Sequence, residues 1–369
     1  MLIERIKKMS VAWFSFNLAT SAIALSSFAL GKASHLGTLV DLSHAIAYLN
    51  TIIYLIISFF FIIKVALVRR EFLEALKDPI KGPFITTISI ATMLLALDWG
   101  VVIGDKAIGL AFLTLGAVLH TLFFIVIIYS FIVHEGIEVH LMNPGWYMPA
   151  VGNVLVPYIG SSLGLSGIKS LLGIYLGTGV IMWLALFTIW LYRSIFHNPP
   201  PSRLVPATWI NFAPPAIAPM AYEMLLGLGP HEYHTVLKKA ALEAATLSKY
   251  LTSFFDMFYY TFWGLAGLLF PVVLLVTIHY LKKKELRFAE SWWAFVFPVA
   301  AYSISTIHLY LHHLNEVWLL YYASLLYVIA WFFYVITTAF SVIYGIEEWF
   351  GRSPPELARP LNVEGRVNE

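Results

Sequence analysis

Ionisable side chains are scarce in this sequence, so the few that fall inside apolar stretches are where chemistry is to be sought. Asp98 closes one such stretch, Glu223 lies well into another, and Glu290 opens a third. A carboxyl in hydrocarbon costs ~3 kcal/mol on insertion scales and commonly marks function. It could carry a proton alongside an organic anion or gate an anion's path, which makes Asp98 and Glu223 the coupling candidates. A structural or interfacial role is the competing reading for each. Histidines offer a second chemistry: His308 and His312 stand i,i+4, and His231 and His234 fall within HEYH. Either pair could bind a metal if carboxylates converged on it, but neither is a complete site, and no metal is expected. His120 reads as a packed or interhelical residue. Cysteine is absent, which removes disulfides, thiolate ligands and a Cys nucleophile. No phosphate-binding loop, nucleophile–base set or nucleic-acid motif occurs. A soluble-type enzyme, an ATP-driven pump and a nucleic-acid partner are therefore disfavoured, and no cofactor is expected.

The elements that must position these residues are membrane helices. Of 369 residues, 60% are hydrophobic and 12% charged, against roughly 25% charged in soluble domains. An aromatic content of 16% suits belts at the two interfaces. A span needs ~20 largely apolar residues, and about ten stretches qualify: 10–30, 42–68, 84–103, 107–133, 143–163, 168–192, 204–228, 251–280, 288–310 and 317–346. Short connections favour antiparallel neighbours; the exception, 229–250, contains VLKKAALEAATLSKY and reads as a short interfacial or extramembrane helix. The basic, then apolar, N-terminus is read as a retained first span rather than a cleaved leader. With that terminus inside, about 17 of the 23 Lys and Arg fall on the cytoplasmic side, as the positive-inside rule asks. Both termini are thus expected in the cytoplasm, with the chain in the plasma membrane. Residues 1–350 form one transmembrane domain and 351–369 a disordered tail.

The spans alternate in kind. Odd ones carry small, polar and proline residues: Ser15, Asn17 and Thr20 in the first, Thr87 in the third, Pro149, Asn153 and Pro157 in the fifth, Asn211, Pro214, Pro215 and Pro219 in the seventh, and Pro298, Ser303 and Ser305 in the ninth. Even ones, such as TIIYLIISFFFIIKVALV, look lipid-facing. Small and hydroxyl residues also serve plain helix packing, and Gly173/Gly177 match the GxxxG pattern. Five consecutive odd spans with one bias nevertheless suggest a hairpin repeated about five times, odd helices inside and even helices outside. Prolines in spans are tolerated where protein or water satisfies the freed carbonyl, so kinks at these positions suit a wet interior. The fold class is an all-α integral membrane protein, about ten helices in five hairpins around a central pore. The odd spans hold no Lys or Arg in their interiors; a solute anion would meet hydroxyls, amides and helix ends there, and bind weakly.

Taken in order, the words WFSFNLATSAIALSS, DPIKGPF, PGWYMPAVGNVLVPYIG, FAPPAIAPMAY and SWWAFVFPVAAYSIST resemble the tellurite-resistance/dicarboxylate transporter family. That family includes TehA, the fungal malate permeases and the slow anion channels of plant guard cells. The resemblance spans residues 10–346. It implies a homotrimer, each subunit with its own pore, plugged by an inner-helix phenylalanine just before a proline. On this chain that residue is Phe297, with Phe295 the alternative; ordinary aromatic packing is the competing reading. The implied partners are a small anionic solute and membrane lipid. The implied activity is transport of small organic anions, malate and related C4-dicarboxylates first, with a passive channel for chloride- or nitrate-like ions as the alternative. Tellurite resistance is not readable from any residue.

Overall fold

In hydrocarbon every backbone N–H and C=O must be satisfied within the chain, and continuous apolar runs of ~20 residues, rather than short alternating ones, meet that demand as helices. The structure is a computed structural model and describes residues 2–227, 245–312 and 316–350. Ten helices carry it: α1 Phe14–Ala33, α2 Gly37–Leu67, α3 Gly82–Leu97, α4 Lys106–Val133, α5 Met148–Ser162, α6 Lys169–Phe196, α7 Ala213–Leu226, α8 Ala245–Lys282, α9 Val296–His312 and α10 Val317–Phe350. Two short helices, Leu2–Lys8 and Arg69–Lys77, lie beside this set, and no strand occurs among the described residues. The protein is an all-α integral membrane protein.

The alternation in sequence is an alternation in burial. In the apolar windows of α1, α3 and α9, 78%, 83% and 78% of residues are buried inside the protein, against 17% to 33% in α2, α4, α6, α8 and α10. Consecutive helices pair as α1 with α2, α3 with α4, α5 with α6, α7 with α8 and α9 with α10. The odd helices also touch one another in chain order, and α9 closes onto α1, so five inner helices make a ring. Each outer helix leans in addition on the inner helix of the next hairpin, with α10 returning to α1.

Eight helices among the described residues are long and apolar enough to cross a bilayer. The expected fifth and seventh spans fall short because α5 and α7 are helical over only 15 and 14 residues. Each is preceded by a 3₁₀ stretch, Pro144–Tyr147 and Pro206–Phe212. Val11–Trp13 and Glu290–Phe295 precede α1 and α9 in the same way. All four stretches contain a tryptophan: Trp13, Trp146, Trp209, and the pair Trp292 and Trp293. Encased by protein, α5 and α7 need no lipid-facing surface, so low hydropathy is tolerated there.

Glycines set the closeness of the hairpins. A Cβ on Gly109 of α4 would meet the Ala96 carbonyl oxygen and the Gly100 Cα at 2.9 Å, and one on Gly179 of α6 would meet the Ala150 carbonyl oxygen at 2.9 Å. Small residues thus let outer-helix backbone lie directly on inner-helix backbone. Gly177 meets nothing within 4 Å and Gly173 only a Leu225 methyl at 4.0 Å; that pair packs no helix tightly within the subunit.

Candidate functional site

The ring opens at the face where its helices begin. A cavity of about 800 Å³ occupies that mouth, and every inner helix or the turn before it contributes to the wall: Ser15 and Leu18, Ile85 and Thr87, Met148 and Val151, Ile210 and Ala213, and Phe297 and Pro298. Because all five inner helices start here, five helix N-termini surround one space. Each carries roughly half a positive charge. The rim is mixed, with Lys64 and Lys81 against Glu71, Glu74, Asp78 and Glu290. Lys64 donates to the Met9 carbonyl at 2.5 Å, and Ser10 donates to Glu290 at 2.6 Å.

The two phenylalanines of AFVFP occupy different places. Phe297 lines the cavity beside Pro298. Phe295 is enclosed by aromatic rings, 5.1 Å from Trp209, 5.0 Å from Phe333 and 5.7 Å from Trp292. The prolines divide similarly. Pro157 and Pro219 lie inside α5 and α7. Pro149, Pro214, Pro215 and Pro298 sit in first turns, where 3₁₀ backbone passes into α-helix. A missing N–H costs nothing in a first turn, so these four mark a change of helix type rather than a kink within a helix.

Of the hydroxyl and amide candidates, Ser15 and Thr87 line the cavity. The others are buried elsewhere or spent on neighbours. Thr20 bonds Tyr334 of α10 at 3.1 Å and Ser303 donates to the Ala323 carbonyl of α10 at 2.8 Å. Ser305 lies against Tyr259 of α8, whose hydroxyl donates to the Ser305 carbonyl at 2.8 Å. These three tie inner helices to outer ones and do not face the cavity. Asn211 donates to the Thr208 carbonyl at 2.7 Å, Asn153 is buried in α5, and Asn17 belongs to a cluster around Asp98.

Neither Asp98 nor Glu223 lines the cavity: on their own helices they follow the wall residues Thr87 and Ala213 by about 15 Å of rise, although Ser21, which bonds Asp98, is only one turn past the wall residue Leu18 on α1. Asp98 ends α3 where a π-helical turn, Asp98–Ile103, begins, and it accepts from Ser21 at 2.7 Å and from Asn50 at 2.9 Å. Glu223 is fully buried and meets both histidines of the i,i+4 pair, His308 Nδ1 at 3.3 Å and His312 Nε2 at 2.5 Å. Sequence spacing exposed the histidine pair and the acid separately; their convergence needed the fold. No group of three or more His, Asp or Glu among the described residues is arranged to hold a metal. His120 bridges three helices, bonding Ser89 at 3.0 Å and the Pro149 carbonyl at 2.9 Å. His231, His234, most of the 229–250 segment and the tail 351–369 lie outside the described residues.

Two uncharacterized transporters of Methanocaldococcus jannaschii are similar to the chain along most of its length. One is 28% identical over 308 residues and the other 29% over 311, each alignment covering 82% of this chain and 84% of the relative. Residues 8–342 match the family described as voltage-dependent anion channel, SLAC1. That match takes in the five inner helices, the cavity and both buried acids, and the chain therefore belongs to the voltage-dependent anion channel family.

Proposed function

We propose that the chain passes small anions along the axis of its inner ring, with Phe297 occluding the path at the inner end of the cavity. The observation that carries this is the assembly of five helix N-termini around one cavity of about 800 Å³. Positive helix ends attract anions without a fixed cation, and the wall beyond the rim offers hydroxyls and apolar surface, which hold an anion weakly enough to release it. The preferred solute is malate or a related C4-dicarboxylate, for which such a cavity has room. Passive conduction of chloride- or nitrate-like ions is the second reading, favoured by the placement of the lining lysines, Lys64 and Lys81, at the rim.

The preponderance of basic residues on the N-terminal side supports a cytoplasmic position for the cavity mouth in the cell membrane. The family resemblance supports a homotrimer. Uptake of labelled malate and of chloride into liposomes carrying the purified chain, with and without a pH gradient, tests the assignment. Malate accumulation above equilibrium identifies a coupled transporter, and downhill flux indifferent to the gradient identifies a channel. Flux of neither anion refutes the proposal.

A further inference from the structure

Asp98 sits where α1, α2 and α3 meet and is fully buried, as are Asn17, Ser21 and Asn50 around it. Among the described residues no lysine, arginine or histidine pairs with it. Every polar hydrogen of the cluster is already committed. Asn17 Nδ2 donates to Asn50 Oδ1 at 2.9 Å and to the Asn50 carbonyl at 3.3 Å. Asn50 Nδ2 donates to Ser21 Oγ at 2.8 Å and to Asp98 Oδ2 at 2.9 Å, and Ser21 Oγ donates to Asp98 Oδ2 at 2.7 Å. Two buried oxygens, Asp98 Oδ1 and Asn17 Oδ1, have no donor. The cluster therefore holds a surplus of acceptors and a carboxylate with no counter-charge, a combination that burial does not tolerate unless a positive species joins it. The π-helical turn that begins at Asp98 is a second mark, since such turns are frequent at functional sites.

We propose that Asp98, Asn17, Ser21 and Asn50 form a binding site for a small monovalent cation, a proton or a sodium ion, that exchanges with water. An all-oxygen donor set with a single charge suits these occupants; magnesium and calcium demand more ligands or more carboxylates. Four buried or half-buried titratable side chains on the packed elements are engaged elsewhere, while Asp41 and Tyr48 of α2 are exposed. His44 of α2 bonds the Val102 carbonyl at 2.9 Å, and Tyr54 of α2 bonds Thr92 at 2.6 Å. Tyr327 and Tyr334 of α10 bond Ser27 and Thr20. The site stands independently of the anion pathway; coupling between the two rests on that reading.

Thermal unfolding of the detergent-purified full chain tests the site without transport. Wild type and Asp98→Asn are compared in sodium against choline at equal ionic strength, and from about pH 5 to pH 8 without sodium. A sodium occupant raises the wild-type Tm by about 2–4 °C at tenfold excess over its Kd and leaves Asp98→Asn unmoved. A proton occupant gives no sodium effect; instead wild-type Tm falls as pH rises, because unfolding frees the carboxyl to ionise, while Asp98→Asn shows no such fall. Superimposable responses of the two proteins overturn the proposal. If Asp98→Asn does not fold, Asn17→Ala replaces it and must move the midpoint of the sodium or pH response about tenfold; an unmoved midpoint is equally fatal. In liposomes, a gradient of the identified cation should drive anion accumulation in wild type and not in Asp98→Asn. Absence of downhill flux from wild type would strike the anion pathway instead, leaving the Tm comparison to decide the site.

Discussion

Truncating Phe297 to alanine should open the path. The ring borders the cavity on one side, so it has fewer packing partners than an enclosed phenylalanine, and its loss should cost about 2 kcal/mol of stability rather than the 3–5 typical of core Phe→Ala changes. Its effect on flux should be much larger. An anion squeezed past an apolar ring forfeits hydration without a replacement donor, a penalty of roughly 2–3 kcal/mol for even one unmade polar contact. Removing a barrier of that size raises the rate about 30- to 150-fold. Phe295→Ala is the matched control. Enclosed by Trp209, Phe333 and Trp292, Phe295 should cost the full 3–5 kcal/mol when truncated and give no gain in flux. The assay is anion flux in proteoliposomes at equal protein density, with Tm and size-exclusion profile recorded for each variant. A well-folded Phe297→Ala protein with unchanged or reduced flux would refute the occlusion argument, and a gain from Phe295→Ala would transfer it to that residue.

Three further outcomes follow from the same geometry. Gly109→Ala should destabilise the α3/α4 hairpin, since a Cβ meets backbone at 2.9 Å and only a backbone shift relieves it; a loss of about 1–3 kcal/mol should appear as a lower Tm, whereas Gly177→Ala, in open space, should be neutral. Glu71→Gln at the rim should raise anion flux about twofold at low salt, the effect of one charge acting through water over roughly 10 Å; an increase that persists in 1 M salt, where the screening length is about 3 Å, would place the effect elsewhere. Glu223→Ala should cost about 1–3 kcal/mol because it removes the hydrogen-bond acceptor that two histidines share. His308→Ala should cost less, given its 3.3 Å contact against 2.5 Å for His312, and a loss in Tm as large as that of Glu223→Ala would refute that ranking.

The division into inner and outer helices was legible because protein and lipid select different residues. A surface packed on all sides admits Ser, Asn and Pro freely, while a lipid-facing one admits few, and the contrast survives in α1 against α2 or α9 against α10 as plain composition. The same all-round burial hid which flank of an inner helix faces the axis. Thr20, Ser303 and Ser305 were expected to meet solute and instead bond Tyr334, the Ala323 carbonyl and Tyr259 on outer helices. With apolar and polar residues spread around the whole circumference of α1 or α9, periodicity carries no directional information. The 3₁₀ beginnings were hidden for a different reason: proline is equally compatible with a kink and with a first turn, and only the preceding backbone distinguishes them.

The buried acids illustrate the other limit. Asp98 and Glu223 stood out because a carboxyl in an apolar run is costly wherever it lies, yet their chemistry is set by residues 48 to 89 positions away, Asn50 and Ser21 for one, His308 and His312 for the other. Separation of that order places the partners on different hairpins or helices, and no local pattern encodes it. The consequence is a division of labour that composition alone could not supply. Glu223 has two histidines of its own as hydrogen-bond partners, whereas Asp98 has only neutral amide and hydroxyl donors. Of the two buried acids, the one with an unpartnered carboxyl oxygen, Asp98, is the better placed to take up a cation and sense its gradient.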